Sequence, residues 1–261
     1  MTEPRSPFSH PGWTPAVADG ARILVAGASG GLGRAVVDML LEGSNCVIGA
    51  HGNTQPGYAG DDERVHKLQG ALETAVDCEK LVEDFRAAAG GIDGLVMLAG
   101  RLTTTEHWDG LSPEQWESDI QINLNVPFFM ARATLRVMKT QESGGRIVLN
   151  GTESALHGGS AQSFPYAVAK RGTEAMVQGL AREGADHSIL VNGVRLGFIA
   201  SGFHQRWTGR SEASMQERAE MVPLKRAGDP QEAAALIIYL LSGWSSFVTG
   251  QMFALTGGDW L

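Results

Sequence analysis

Short apolar segments alternate with amphipathic helical segments along most of this 261-residue chain. The helical segments repeat apolar residues at the period of a helix, as Leu32, Val36, Met39 and Leu40 do. Strands that are joined through helices run parallel, because each helix returns the chain to the same end of the sheet. The pattern predicts an α/β fold, a doubly wound parallel sheet of about seven strands with helices on both faces, with strands near 22–26, 46–50, 65–68, 92–100, 145–150, 189–194 and 251–255.

The boundaries of the domain follow from length and proline content. A chain of this size commonly folds as one α/β unit, so residues 21–261 are predicted to form a single domain. Residues 1–20 carry four prolines and no period, which predicts an arm whose order depends on packing, with Trp13 as its anchor. A helix is expected over 74–89, with an apolar stripe at Val76, Leu81, Val82 and Phe85.

Charge and cysteine content exclude several classes of partner. The net charge of -8 without a basic cluster argues against nucleic acid and against an anionic membrane surface. No apolar run is long enough to cross a bilayer, and the N-terminus lacks the features of a signal peptide, so a cytoplasmic protein is expected. Cys46 and Cys78 read as ordinary buried or partly buried thiols. None of the histidines has the spacing of a metal site, so we expect no catalytic metal.

The first predicted strand runs directly into a glycine-rich loop, Gly27-Ala28-Ser29-Gly30-Gly31-Leu32-Gly33, which opens a helix. Glycines allow a tight turn and a close approach to a pyrophosphate, and the helix N-terminus favours its negative charge. A loop with packing duties only is the alternative. The strand before the loop and the helix after it favour a dinucleotide site.

The second strand ends at His51-Gly52-Asn53, where enzymes selective for NAD usually carry an acid that holds the ribose 2′-hydroxyl. Because no acid is present, a 2′-phosphate would meet no like charge. Ser29, Arg34, His51 and Asn53 are the candidate donors to that phosphate. The prediction is therefore NADP, with NAD as the alternative.

Tyr166 and Lys170 lie four residues apart in a helical segment and therefore share one helical face. A phenol titrates near pH ~10, and a cation beside the phenolate lowers that pKa. The pair could thus serve as an acid or base near neutrality. The spacing is common on exposed helices, so other motifs must support this interpretation.

Several motifs together resemble the short-chain dehydrogenase/reductase family, and its 3-oxoacyl-ACP-reductase-like members in particular. The resemblance extends from Arg22 to the C-terminus. The family's T-G-x-x-x-G-x-G corresponds to Ala26 to Gly33, and its N-N-A-G to Met97 to Gly100. Its helix asparagine corresponds to Asn123, and its Y-x-x-x-K to Tyr166 and Lys170. Its P-G turn is Leu196-Gly197, the hydroxyl that follows is Ser201, and its closing T-G-G is Thr256 to Gly258.

The resemblance implies a Rossmann-type fold and assigns roles to individual residues. It implies Asn123, Thr152, Tyr166 and Lys170 as catalytic residues. Together with the two loops above, it gives as cofactor-binding residues Gly27, Ser29, Gly31, Leu32, Gly33, His51, Asn53, Ala99, Gly100, Tyr166, Lys170, Gly197, Ile199 and Ser201.

The main departure from the family lies at its catalytic serine, typically thirteen residues before the tyrosine. That count reaches Glu153, whereas counting forward from the fifth strand reaches Thr152, which offers the same hydroxyl. Ser154 remains an alternative. Ala71, Met97 and Leu98 also replace polar residues of the family pattern.

The resemblance further implies hydride transfer between nicotinamide and a carbonyl or secondary alcohol, with Tyr166 as acid or base and NADPH-dependent ketone reduction favoured. The substrate would be a small molecule beneath a lid at about 198–222, and the chain would form a homo-oligomer, a tetramer or a dimer, through 113–140, 165–185 and the C-terminal segment. A non-catalytic dinucleotide-binding regulatory or structural subunit is one alternative. Dehydration or epimerisation on the same fold is another.

Overall fold

Seven parallel strands form one sheet in the computed structural model, which describes residues 16–209 and 211–259. The strands are β1 Arg22–Ala26, β2 Val47–Gly52, β3 Val65–Gln69, β4 Gly94–Met97, β5 Gly145–Thr152, β6 Ile189–Leu196 and β7 Met252–Leu255. Their order is β3-β2-β1-β4-β5-β6-β7, so the direction of winding reverses between β1 and β4. The predicted doubly wound parallel sheet is confirmed. A ligand crevice is expected at the carboxyl ends of the strands where the winding reverses.

Eight α-helices lie in the part of the chain that the structure describes. They are α1 Gly31–Gly43, α2 Ala75–Ala89, α3 Pro113–Ile120, α4 Val126–Lys139, α5 Phe164–Ala185, α6 Phe203–Thr208, α7 Glu212–Met221 and α8 Pro230–Leu241. On one face of the sheet, α1 and α8 form a core that includes Val36 and Ile237. On the other face, α2, α4 and α5 form a core that includes Phe85, Met130 and Val177. Burial on both faces explains why the strands read as continuous apolar runs.

Helix α2 begins and ends where its sequence provides caps. Thr74 and Asp77 form a capping box at its start, and Gly90 ends it in the left-handed conformation. The predicted apolar stripe is wrong at Val76, which is 71% exposed. Cys78 is buried instead, because residues 78, 81, 82 and 85 follow the helical spacing of one face and Val76 lies off it.

A π-helical turn, Gln121–Asn125, lies between α3 and α4. In this turn the amide of Val126 donates to the carbonyl of Gln121, five residues earlier. A π-turn inserts one residue and rotates the side chains that follow. It places the side chain of Asn123 in the interior, where that residue is fully buried.

Most of the predicted N-terminal arm, including Trp13, lies outside the described residues. At residues 16–20 the chain is already attached to the body, because the amide of Val17 donates to Ser44 Oγ at 2.9 Å. Within 16–209 and 211–259, no helix combines the length and apolar character that a membrane span needs. The predicted lid region contains α6 and α7, and Arg210 between them is outside the described residues.

Candidate active site

The carboxyl ends of the central strands open into a cleft of about 1030 Å³. Every residue predicted for the site lines this cleft except Asn123 and the candidate phosphate donor Arg34. The glycine loop and β2 form one end of the cleft, and Tyr166 and the lid helix α6 form the other. The fold therefore gathers residues from distant parts of the sequence into one elongated site.

The glycine loop is packed so tightly that side chains are excluded from it. Gly27 has φ +90°, and a Cβ on it would lie 2.7 Å from the amide nitrogen of Ala99 in β4's loop. A Cβ on Gly33 would lie 2.6 Å from Ala28 Cα. No side chain caps the N-terminus of α1, so the first amides of this helix have no capping side chain as an acceptor. Packing therefore requires glycine at positions 27 and 33, and a helix N-terminus of this kind favours an anion.

His51 is the second-last residue of β2 and lies at the same end of the cleft as the glycine loop. Its exposure is 3%. Its Nε2 lies 2.8 Å from the Gly70 carbonyl oxygen, which can only accept, so Nε2 carries the proton. Burial lowers the pKa of His51, which keeps the ring neutral and leaves Nδ1 as an acceptor. His51 is thus no cationic donor to a phosphate. Arg34 is exposed and outside the cleft lining, so Ser29 and Asn53 remain of the four predicted donors.

Asn123 lies behind the wall of the cleft and does not line it. Its Nδ2 donates to the Arg101 carbonyl at 2.7 Å, and its Oδ1 accepts from the Arg101 amide at 3.2 Å. A Cβ on Gly100 would lie 2.9 Å from Asn123 Oδ1 and 3.5 Å from Lys170 Nζ. Asn123 therefore fixes the loop after β4 close to the lysine.

Lys170 is 2% exposed, and its Nζ donates to the carbonyl of Asn150 in β5 at 3.0 Å. The nitrogen lies 5.8 Å from the centroid of the Tyr166 ring, as expected for residues one helical turn apart. Burial lowers the pKa of Lys170 to about 8. The ammonium is thus close to losing its proton at mildly alkaline pH.

The Tyr166 ring contacts the Phe203 ring of α6, with centroids 5.9 Å apart. Burial raises the pKa of Tyr166, and the negative charge of Asp119 raises it further. This is opposite to the lowering that we predicted from Lys170 alone, because removing the phenolate from water outweighs a cation at this distance. In the protein by itself, Tyr166 is therefore a neutral phenol that can donate a proton.

Both candidate hydroxyls reach the cleft. Thr152 ends β5, Ser154 lies in the following 3-10 turn Glu153–His157, and their oxygens are 3.2 Å apart. Thr152 Oγ1 also donates to the Leu196 carbonyl at 3.4 Å. The Glu153 carboxylate accepts from Arg195 Nε at 2.9 Å, so it lies in an ion pair beside the hydroxyls.

Two buried carboxylates near the site were missed by the sequence analysis: Glu153 and Asp119. Asp119 is fully buried, and its Oδ1 accepts from the Thr103 amide at 3.1 Å and from Asn123 Nδ2 at 3.2 Å. Burial raises the pKa of Asp119. The sequence around Asp119 gives no sign that this acid in α3 is buried, because only tertiary packing brings it to the loop after β4.

The remaining titratable groups add no metal site. In the described ranges, no three histidine, cysteine or acidic side chains are placed to hold a metal ion. Cys46 and Cys78 are buried, and burial raises the pKa of their thiols to about 11 and about 12. Both are therefore protonated and unreactive at neutral pH.

Comparison with known proteins gives consistent results over nearly the full chain. Residues 27–259 match a family model described as enoyl-(acyl carrier protein) reductase. The chain is 30% identical over 247 residues to 3-oxoacyl-(acyl-carrier-protein) reductase FabG of Vibrio harveyi, covering 93% of this chain and 98% of that protein. It is 32% identical over 248 residues to L-rhamnose 1-dehydrogenase (NAD(P)(+)) of Azotobacter vinelandii, covering 90% and 95%.

Solved structures show the same similarity. Levodione reductase superposes with a TM-score of 0.82 at 25% identity, covering 93% of this chain and 98% of that chain. A short-chain dehydrogenase/reductase from Brucella melitensis, described as glucose/ribitol dehydrogenase, gives a TM-score of 0.80 at 29% identity with the same coverage.

Proposed function

The chain belongs to the short-chain dehydrogenase/reductase family, and from this premise we propose that it is an NADPH-dependent reductase of a small carbonyl compound, with Tyr166 as the proton donor. One observation supports this proposal most directly. Tyr166, Lys170 and two hydroxyls line the same cleft as the glycine loop. The names of the relatives also describe oxidoreductases that act on a CH-OH group.

The residues present fit a nicotinamide dinucleotide. The glycine loop lines the cleft, and the uncapped N-terminus of α1 offers amides to a pyrophosphate. The buried Nδ1 of His51 has no hydrogen-bond partner among the described residues and could accept from a ribose hydroxyl. When bound, the nicotinamide would supply or accept the hydride.

The chain's own residues would act on the substrate oxygen. Tyr166 is neutral because its pKa is raised, so it can donate a proton to a carbonyl oxygen during reduction. A hydroxyl from Thr152 or Ser154 would donate a second hydrogen bond to the same oxygen, which elsewhere contributes about 3 to 4 kcal/mol per well-placed donor. Lys170 would hold the nicotinamide ribose, and Asn123 keeps the loop after β4 in place beside that lysine.

The choice of NADP rests on the sequence at the end of β2 and just after it, His51-Gly52-Asn53-Thr54-Gln55, which contains no acid. Asn53 and Ser29 can donate to a 2′-phosphate, and the neutral His51 does not repel it. Fluorescence titration with NADPH and NADH tests this choice. Binding of NADPH at least about tenfold tighter, or about 1.4 kcal/mol, supports it. Tighter binding of NADH overturns the choice of cofactor but not the reaction class.

The reaction is tested with a panel of carbonyl compounds that includes 3-oxoacyl thioesters and sugars, the classes named for the relatives. Tyr166→Phe should lower turnover about a hundredfold to ten-thousandfold while leaving NADPH binding within about twofold. Binding without turnover on any substrate would favour the non-catalytic dinucleotide-binding subunit. Product formation without net change in NADPH would favour dehydration or epimerisation.

We also propose that the protein is cytoplasmic and forms a homo-oligomer. Large apolar side chains are exposed at Phe128 on α4 and at Phe164 and Val168 on α5, and Trp244 and Phe247 are 80% and 103% exposed between α8 and β7. Phe128 and Val168 lie on segments that the family resemblance associates with subunit contacts, and Phe164 directly precedes one of them. Sedimentation velocity tests the proposal, and a monomer at micromolar concentration would contradict it.

A further inference from the structure

Four charged side chains form a continuous chain of ion pairs beside the cleft. Arg195 Nε on β6 donates to Glu153 Oε2 at 2.9 Å, and Arg195 Nη1 lies 3.5 Å from Glu174 Oε1 on α5. Glu174 Oε2 in turn accepts from Arg171 Nη1 at 3.0 Å. Two positive and two negative charges are present, so the chain is neutral as a whole.

The pairs nearest the cleft are shielded from water. The Glu153 side chain is 8% exposed, Arg195 is 20% exposed and Glu174 is 18% exposed. A charge taken out of water needs its partner in good geometry, so Glu153 and Arg195 constrain each other's position more strongly than an exposed pair would.

The ion pairs of Arg195 join the two parts of the proposed active site. Glu153 lies between Thr152 and Ser154, where the backbone leaves β5 and enters the 3-10 turn. Glu174 lies one helical turn after Lys170 and two turns after Tyr166 on α5. Arg195 therefore links the corner that carries the hydroxyls to the helix that carries the phenol.

We propose that Glu153 is a positioning residue. Its ion pair with Arg195 holds the corner after β5 at a fixed distance from α5, so that a hydroxyl at 152 or 154 and the Tyr166 phenol reach the same substrate oxygen. This inference rests on the proposed reductase function. It assigns Glu153 no contact with the proton or the hydride that is transferred.

The test separates charge from length at position 153. Glu153→Gln keeps the length but removes the charge, whereas Glu153→Asp keeps the charge and is one methylene shorter. We expect Glu153→Gln to lower kcat at least about tenfold, because Arg195 then loses its ion pair and small displacements of reacting groups have large effects on rate. Glu153→Asp, which can still pair with Arg195, should lose less. The Kd for NADPH should stay within about twofold in both, because the hydroxyl corner and not the glycine loop is displaced.

Asp93→Ala provides a matched control. Asp93 forms a partly buried ion pair with Arg22, at 2.6 Å, where β1 and β4 begin, at the end of the sheet opposite the cleft. The Asp93→Ala substitution should lower the melting temperature, while kcat stays within about twofold of the wild type.

Other outcomes overturn the inference in distinguishable ways. Equal kcat in Glu153→Gln and wild type, or a larger loss in Glu153→Asp than in Glu153→Gln, means that the ion pair does not hold the corner. A loss of kcat in the Asp93→Ala control as large as in Glu153→Gln means that general destabilisation explains the effect. Absence of turnover in the wild type refutes the proposed function, and the inference fails with it.

Discussion

Replacing Lys170 with methionine should stabilise the protein without its cofactor. Lys170 is 2% exposed, and its pKa is lowered from 10.5 to about 8 by burial. The folded state therefore keeps a charged amine in a place that disfavours the charge. Met has a similar length and leaves no charge to bury.

The size of the effect follows from the two pKa values of Lys170, 10.5 and about 8. At about 1.4 kcal/mol for each pH unit, the gap corresponds to about 3 kcal/mol at pH 7. Losing the hydrogen bond to Asn150 offsets about 1 kcal/mol, so the net gain should be about 2 kcal/mol.

The gain should depend on pH with a definite sign. The folded-state pKa is lower than the unfolded one, so between about pH 8 and 10.5 the unfolded chain binds more protons, and the unfolding free energy of the wild type rises with pH. At pH 9.5 the penalty has fallen to about 1 kcal/mol, and Lys170→Met should then be nearly as stable as the wild type.

Urea denaturation at pH 7 and 9.5, followed by circular dichroism without nicotinamide, measures both values. Lys80→Met is the control, because the Lys80 side chain is 71% exposed, and its effect should be below about 0.5 kcal/mol at both pH values. A Lys170→Met protein that is less stable than the wild type at pH 7, or a gain that is the same at both pH values, would refute the reasoning.

Two further predictions concern the glycine loop and the hydroxyls. Gly33→Ala should abolish NADPH binding in titration or prevent folding, because its Cβ would press on backbone atoms. Gly179→Ala in α5 is the control. A Cβ there meets nothing within 4 Å, so this substitution should raise the free energy of unfolding by about 0.5 to 1 kcal/mol. Tolerance of alanine at position 33 would contradict the packing argument. Thr152→Val should lower kcat about a hundredfold and Ser154→Ala less than about tenfold, and the reverse order would assign the hydrogen bond to Ser154.

The sheet and the glycine loop could be predicted because both depend on local signals. A strand followed directly by Gly27 to Gly33 and a helix has few alternative folds, and the alternation of elements fixes parallel strands. Val76 was predicted wrongly because an apolar residue near a helix start fits more than one face. The commitment of His51 to the Gly70 carbonyl depends on the pairing of β2 with β3, which spacing along the chain does not encode.

The direction of the Tyr166 pKa shows what spacing alone omits. A phenol four positions before an amine predicts a lowered pKa for the phenol. The direction of the shift is set instead by how much water the fold removes from the phenol and by the charge of Asp119. Burial is the largest cause of the pKa shifts of Asp119, Tyr166 and Lys170, and it favours the neutral form of each side chain. A fold gains no stability from such groups, so their concentration beside one cleft is an argument for a functional site there that is independent of any motif.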